Sequence, residues 1–145
     1  MKEVTTQSAE ETRTLGFKIG EKLSKNAKKR RVLALFGNLG AGKTTFIRGL
    51  VEGMGIRSRV QSPTFTYERV YENNGKKLYH FDCYRLEKPD ALIDQELMEA
   101  EEKADGSMVI EWADRVKNML PQKRTDITFS ILEGDKRKIT IVEFC

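Results

Sequence analysis

The apolar run Val32-Leu33-Ala34-Leu35-Phe36 stops at a glycine. It passes through Gly37-Asn38-Leu39-Gly40-Ala41-Gly42-Lys43-Thr44-Thr45 into a segment whose apolar residues, Phe46, Ile47, Leu50, Val51 and Met54, recur at helical spacing. An unbroken apolar run predicts a strand buried on both faces, the environment of a parallel sheet covered by helices. Gly55 is placed to end the helix that follows. Strand, glycine-rich loop and helix in this order restrict the chain to α/β architectures, with the loop at the carboxyl end of a core strand.

The loop has a chemistry of its own. Gly37, Gly42, Lys43 and Thr44 fill the pattern G-x-x-x-x-G-K-[ST]. Gly37, Gly40 and Gly42 admit backbone conformations closed to residues with a Cβ, so the N–H groups from Asn38 to Thr45 can converge on phosphate oxygens. Asn38, Leu39, Gly40, Ala41, Gly42, Lys43, Thr44 and Thr45 are therefore the predicted nucleotide-binding residues. Lys43 supplies a point charge to the β and γ phosphates, Thr44 offers a hydroxyl to Mg²⁺, and the helix N-terminus favours the anion. The implied ligand is a nucleoside triphosphate with Mg²⁺. No N-K-x-D or T-K-x-D element is present to read guanine, and composition does not otherwise identify the base.

The chain of 145 residues has room for one domain, predicted over 1–145. Its hydrophobic content of 39% suits a globule, and no apolar stretch approaches the roughly 20 residues that cross a bilayer. The start, Met-Lys-Glu-Val-Thr-Thr, lacks a signal-peptide core, so the expected location is the cytoplasm. Cys83 and Cys145 have no metal-ligand spacing and no companion histidine beyond His80. A formal charge of +4, from 26 basic and 22 acidic residues, describes a mixed surface. The run Lys28-Lys29-Arg30-Arg31 fits either a solvated loop or an RNA contact.

Other elements follow from local signals. Ser8-Ala9-Glu10-Glu11 has the form of a capping box, and with Leu15, Ile19 and Leu23 it predicts a helix over 8–25. Thr64 to Tyr71 and Lys77 to Asp82 read as a hairpin around Asn73-Asn74-Gly75. Pro89 and Asp90 open a helix carrying Leu92, Ile93, Leu97 and Met98. Met108-Val109-Ile110 is a short strand, and Thr125 to Leu132 with Lys138 to Phe144 form a closing pair. The predicted fold is a three-layer α/β P-loop NTPase domain, with a central mostly parallel sheet plus antiparallel hairpins.

Hydrolysis of a bound triphosphate also requires a carboxylate for the metal and a group to orient the attacking water. Met108-Val109-Ile110-Glu111 and Leu78-Tyr79-His80-Phe81-Asp82 both end on an acid. Strand alternation puts Leu78, His80 and Asp82 on one face. Either acid fits a metal or water-positioning role, and either fits simple solvent exposure. Thr64, in Ser62-Pro63-Thr64, lies where a switch threonine would sense Mg²⁺ and the γ phosphate. His80 reads first as a hydrogen-bonded packing residue and Trp112 as core. Arg85 and Lys88 fit a phosphate contact no better than exposure.

Taken together and in order, GNLGAGKTTFIRGL, SPTFTYERVY, HFDCYRL and VIEWADRV resemble the TsaE family, the small bacterial P-loop ATPases of tRNA threonylcarbamoyladenosine synthesis. The departures are Asn38, where an acid is frequent, and Cys83, where leucine is usual. The resemblance implies a Mg²⁺-dependent ATPase, slow alone and stimulated by partners. Those partners are the threonylcarbamoyl-transferase subunit and its dimerising paralogue, with tRNA contacted directly or through them. It implies functional roles for Lys43, Thr64, Asp82 and Glu111, with Thr44, Glu111 and Asp82 around the metal. Glu111 is expected in the metal shell and Asp82 in a water-mediated or catalytic part, while Trp112 holds the end of the Glu111 strand. Two alternatives stay open: a small-molecule kinase using Asp82-Cys83-Tyr84-Arg85, and a nucleotide-dependent interaction switch that does not hydrolyse. The kinase reading lacks an arginine-rich lid insertion.

Overall fold

A computed structural model describes residues 1–26, 30–57, 68–84 and 91–144. The elements in chain order are β1 (Lys2–Thr6), α1 (Ala9–Lys25), β2 (Val32–Phe36), α2 (Lys43–Gly53), β3 (Glu68–Asn73) and β4 (Lys76–Asp82). They continue with α3 (Ala91–Lys103), β5 (Ser107–Glu111), a 3-10 segment (Ala113–Met119), β6 (Arg124–Ile131) and β7 (Arg137–Phe144). The strands form one seven-stranded sheet in the order β1-β7-β6-β2-β5-β4-β3. β6, β2, β5 and β4 run parallel in its centre. Antiparallel pairs flank them, β3 with β4 on one side and β6, β7 and β1 on the other.

The burial of each strand follows its place in the sheet. β5 is buried along its whole length and β2 at every position but its last, as strands covered on both faces must be. Leu33, Leu35, Leu78, Val109, Ile127 and Phe129 pack on one face against Phe46, Ile47, Leu50 and Val51 of α2. On the other face Val32, Ala34, Tyr79, Phe81, Met108 and Ile110 meet Ile93, Leu97 and Ala100 of α3. The architecture is the predicted three-layer one.

Local signals also find their partners. Ser8 Oγ accepts from the N–H of Glu11 at 3.2 Å, and Glu11 Oε1 reaches back to the N–H of Gln7 at 3.1 Å. Asn74 and Gly75 both have positive φ, 52° and 78°, which is the type I′ turn that joins twisted strands tightly. Upstream, the hairpin strand is described from Glu68. Its predicted start at Thr64, and Pro89 and Asp90 ahead of α3, lie outside the described residues.

Two features carry no conspicuous sequence signal. β1 is polar, with only Val4 and Thr6 withdrawn from solvent. It is an edge strand held by its pairing to β7 and by a buried Thr6–Thr12 hydroxyl contact of 2.7 Å. The second is the contact of α1 with α2. Gly16 and Gly20 on α1 face Gly49 and Gly53 on α2, and a Cβ at any of them would land on a carbonyl oxygen of the other helix: Phe46, Leu50, Arg13 or Phe17. The helices therefore touch backbone to backbone, with Arg13 and Glu52 paired alongside. Among the described residues, no helix is long and apolar enough to cross a membrane.

Because these collisions are with main chain, the helices must separate to admit a side chain. Gly49→Ala is expected to lower unfolding free energy by about 2–3 kcal/mol in urea titrations. Lys18→Ala, on the exposed face of α1, should stay within about 0.5 kcal/mol of the parent.

Candidate nucleotide site

β2 ends at Phe36 on the carboxyl edge of the parallel strands, and the loop turns directly into α2. Gly37, at φ 146°, lies against Phe129, where a Cβ would meet its carbonyl oxygen. Gly42, at φ 101°, is the N-cap of α2, and its carbonyl accepts the helix's first bond from Phe46 N at 2.9 Å. Between them Ala41 N donates to Asn38 O at 3.1 Å, while Leu39 projects from the tip at 71% exposure. Arg137, at the start of β7, donates to Gly40 O at 3.1 Å and ties the loop to a strand that lies beyond β6. Nothing in the sequence marks Arg137 for this, because the two residues are far apart in the chain and only the sheet order brings them together.

Lys43 is buried at 5% exposure. Its Nζ donates to Gly37 O and stands 3.5 Å from the centroid of the Trp112 ring. Burial pulls the ammonium below its ordinary lysine value, while Glu111, then Asp82 and Asp114, pull the other way. Trp112 is held in left-handed backbone, φ 55°, immediately after β5, and that turn presents its ring face to Lys43. Tyr84 covers the ring at 4.9 Å. Trp112 is thus packed against the core, as its type suggests, and also against the loop lysine.

The acids arrive through strand register. Leu35 of β2 pairs with Glu111 of β5, and Glu111 pairs with Asp82 of β4. Side chains at paired positions share a face, so both carboxylates point toward the α2 layer. Glu111 is 3% exposed. One oxygen, Oε1, lies 3.5 Å from the Thr44 hydroxyl, and the other, Oε2, accepts from His80 Nε2 at 2.8 Å. Asp82 is half-buried and accepts from Tyr84 N at 3.0 Å. Burial and the neighbouring Glu111 charge raise its proton affinity above that of an ordinary aspartate. His80 is fully buried and hydrogen-bonded, as a packing histidine should be, yet its partner is a candidate functional acid.

Lys43, Thr44, Asp82 and Glu111 therefore meet at one edge of the sheet, in a small volume that holds an ammonium, a hydroxyl and two carboxylates. Ser62, Pro63 and Thr64, together with Arg85 and Lys88, lie outside the described residues, as do Lys28, Lys29 and Cys145. Arg30 is engaged by Glu101 at 3.0 and 2.8 Å and Arg31 by Glu143 at 3.3 Å, so half of the basic run is committed to internal pairing. Cys83 is a buried free thiol pushed up to about 12, inert at neutral pH.

The chain as a whole is similar to known proteins. The sequence model of the TsaE family, described as "Threonylcarbamoyl adenosine biosynthesis protein TsaE", matches residues 6–139. The chain belongs to the TsaE family. A Bacillus subtilis relative named "tRNA threonylcarbamoyladenosine biosynthesis protein TsaE" is 41% identical over 79% of this chain and 70% of its own. Relatives of the same name from Treponema pallidum and Aquifex aeolicus are 37% and 35% identical, over 94% and 97% of this chain and 96% of each of theirs. The crystal structure of Bacillus subtilis YdiB is similar with a TM-score of 0.74 and 33% identity, covering 99% of this chain and 86% of that one.

The raised proton affinity of Asp82 has a thermodynamic consequence. The folded state holds a proton that the unfolded state has released, so stability falls as pH rises from the ordinary aspartate value through the raised one. Asp82→Asn, which keeps the acceptor for Tyr84 N, is expected to raise the Tm of metal-free and nucleotide-free protein at neutral pH. The gain should shrink to nothing in acid below the ordinary aspartate range. A Tm difference that does not depend on pH would refute this account of Asp82.

Proposed function

We propose that this chain is an ATP-binding and ATP-hydrolysing component needed for threonylcarbamoyladenosine modification of tRNA, acting on a partner transferase complex rather than transferring the group itself. The observation that carries the ATPase reading is the convergence of Lys43, Thr44, Asp82 and Glu111 at the end of β2. Family membership carries the pathway. The expected setting is the cytoplasm, where tRNA is modified.

In this reading the amides from Asn38 to Thr45 and the N-terminus of α2 receive the phosphates. Lys43 exchanges the Gly37 carbonyl and the Trp112 face for β- and γ-phosphate oxygens. It is desolvated in advance, so its charge acts in a medium of low dielectric. The donor set of one hydroxyl and carboxylate oxygens fits a hard divalent cation, and among the described residues two carboxylates beside a single ammonium leave a surplus negative charge for it to balance. Thr44 and Glu111 would hold Mg²⁺, with Asp82 near it, and the ion when bound supplies charge neutralisation across the β and γ oxygens.

Hydrolysis joins a water oxygen to the γ phosphorus and breaks the bond to the β–γ bridging oxygen, releasing ADP and inorganic phosphate. Asp82, with proton affinity above that of a usual carboxylate, is suited to accept a hydrogen bond from that water. Thr64 is assigned the switch-like part that senses the γ phosphate. Leu39 and Tyr84, exposed at 71% and 46% beside the site, give a partner protein apolar holds on the nucleotide face. That fits turnover that is slow alone and faster in the complex with the transferase subunit and its dimerising paralogue.

Lys43→Ala should abolish binding of a fluorescent ATP analogue. Glu111→Gln should keep binding while reducing partner-stimulated hydrolysis by about 100-fold or more, in the range seen when a single transition-state contact is lost. A reconstituted tRNA-modification assay with and without this chain decides the pathway. Brisk hydrolysis with no partner present, or full modification without the chain, would overturn the reading.

A further inference from the structure

Glu111 is 3% exposed and has lost most of its hydration, so its orientation depends on the groups that replace water. Thr44 approaches Oε1 at 3.5 Å, a long contact with little directing force. The short contact is on the other oxygen, where His80 Nε2 lies 2.8 Å from Oε2. His80 itself is oriented. Its ring stacks on Tyr71 at 6.0 Å with an interplanar angle of 24°, and the Tyr71 hydroxyl stands 3.5 Å from Nδ1. Rotating the imidazole would turn a C–H edge toward the carboxylate and lose the bond.

Three strands thus contribute in sequence: Tyr71 of β3 sets the ring, the ring on β4 sets a carboxylate oxygen, and the carboxylate on β5 is set toward Thr44. A histidine that only filled space could satisfy its N–H with a main-chain carbonyl. Here the N–H is directed at the acid that ends β5, on the same face of the sheet, and each carboxylate oxygen has a different neighbour.

We propose that His80 is the positioning residue of Glu111: its Nε2–H tethers Oε2, so that Oε1 is presented to the Thr44 hydroxyl and to the divalent cation of a bound nucleotide. The inference rests on the assignment of Glu111 to the metal under Proposed function. It adds that the geometry of that carboxylate is set from inside the sheet, by a group that touches neither nucleotide nor metal. Outer groups that hydrogen-bond a metal-binding side chain typically change affinity or activity about 10- to 100-fold when removed.

The test reads binding without turnover, using the full chain, a fluorescent ATP analogue and a titration of Mg²⁺. His80→Leu should raise the half-saturating Mg²⁺ concentration by about 10-fold. Its affinity for the analogue in EDTA should stay within about 2-fold, as for a site it does not touch. His80→Gln extends an amide N–H toward the Nε2 position and should restore most of the Mg²⁺ response. His80→Asn, too short to reach Oε2, should behave like His80→Leu. In a Glu111→Gln background, His80→Leu should add no further shift.

If His80→Leu does not fold, the glutamine and asparagine variants decide, since both are polar and only one reaches the acid. Equal Mg²⁺ responses from those two, or an unchanged response in folded His80→Leu, would overturn the proposal. A parent protein that shows no Mg²⁺ dependence, or one whose dependence survives Glu111→Gln, would instead overturn the metal assignment beneath it.

Discussion

The site depends on the register of three parallel strands. Leu35, Glu111 and Asp82 lie in one cross-strand row at the carboxyl edge of β2, β5 and β4. What fixes that row is the apolar alternation behind it. Val109 and Leu78 face α2 while Met108, Ile110, Tyr79 and Phe81 face α3. A slip of one residue in β5 would drive Glu111 into the apolar layer under α3 and turn Ile110 toward the loop. Burying both cores therefore also brings both acids to the face of the sheet that carries the loop.

The same economy governs the helix that carries Lys43 and Thr44. α2 meets α1 through Gly49 and Gly53 against Gly16 and Gly20, main chain on main chain. Such a contact has no flexible side chains to yield, so the axis of α2, and with it the start of the helix, is set closely against α1. Arg137 of β7 ties Gly40 of the loop. The loop is anchored both by the helix pair and by a strand, which suits a cradle of backbone N–H groups whose worth depends on their not having to reorganise.

What was legible in the sequence was what local chemistry dictates. The loop, its flanking strand and helix, the capped first helix, the Asn-Gly turn and the shared face of His80 and Asp82 all follow from spacing within a short window. What was not legible depends on partners distant in the chain. β1 is a strand only because β7 offers an edge, since Lys2-Glu3-Val4-Thr5-Thr6 has no apolar face of its own. The paired glycines of α1 and α2 read singly as weak helix residues, and only the facing pair explains them. Arg137 is an ordinary surface arginine until the sheet order brings it beside Gly40. The type and place of His80 in the sequence point to a buried, bonded side chain, but its partner follows only from the parallel pairing of β4 with β5.

The electrostatics of the site then follow from burial and charge sign alone. A desolvated ammonium is least costly when its hydrogens are occupied and negative potential surrounds it, and the Gly37 carbonyl, the Trp112 ring and the acids supply both. Yet among the described residues the acids exceed the ammonium in number, and the Glu111 charge adds to burial in raising the proton affinity of Asp82. A polyanionic phosphate arriving by itself would satisfy Lys43 and worsen the repulsion felt by Glu111 and Asp82. Arriving with a divalent cation, it would relieve both. On the proposed reading, nucleotide and metal thus favour each other's binding through the same two carboxylates, and a carboxylate free to turn away from the loop would weaken that linkage. The bond from His80 to the far oxygen of Glu111 opposes such a turn, so the most deeply buried polar group of the sheet bears on how strongly the two ligands couple at its edge.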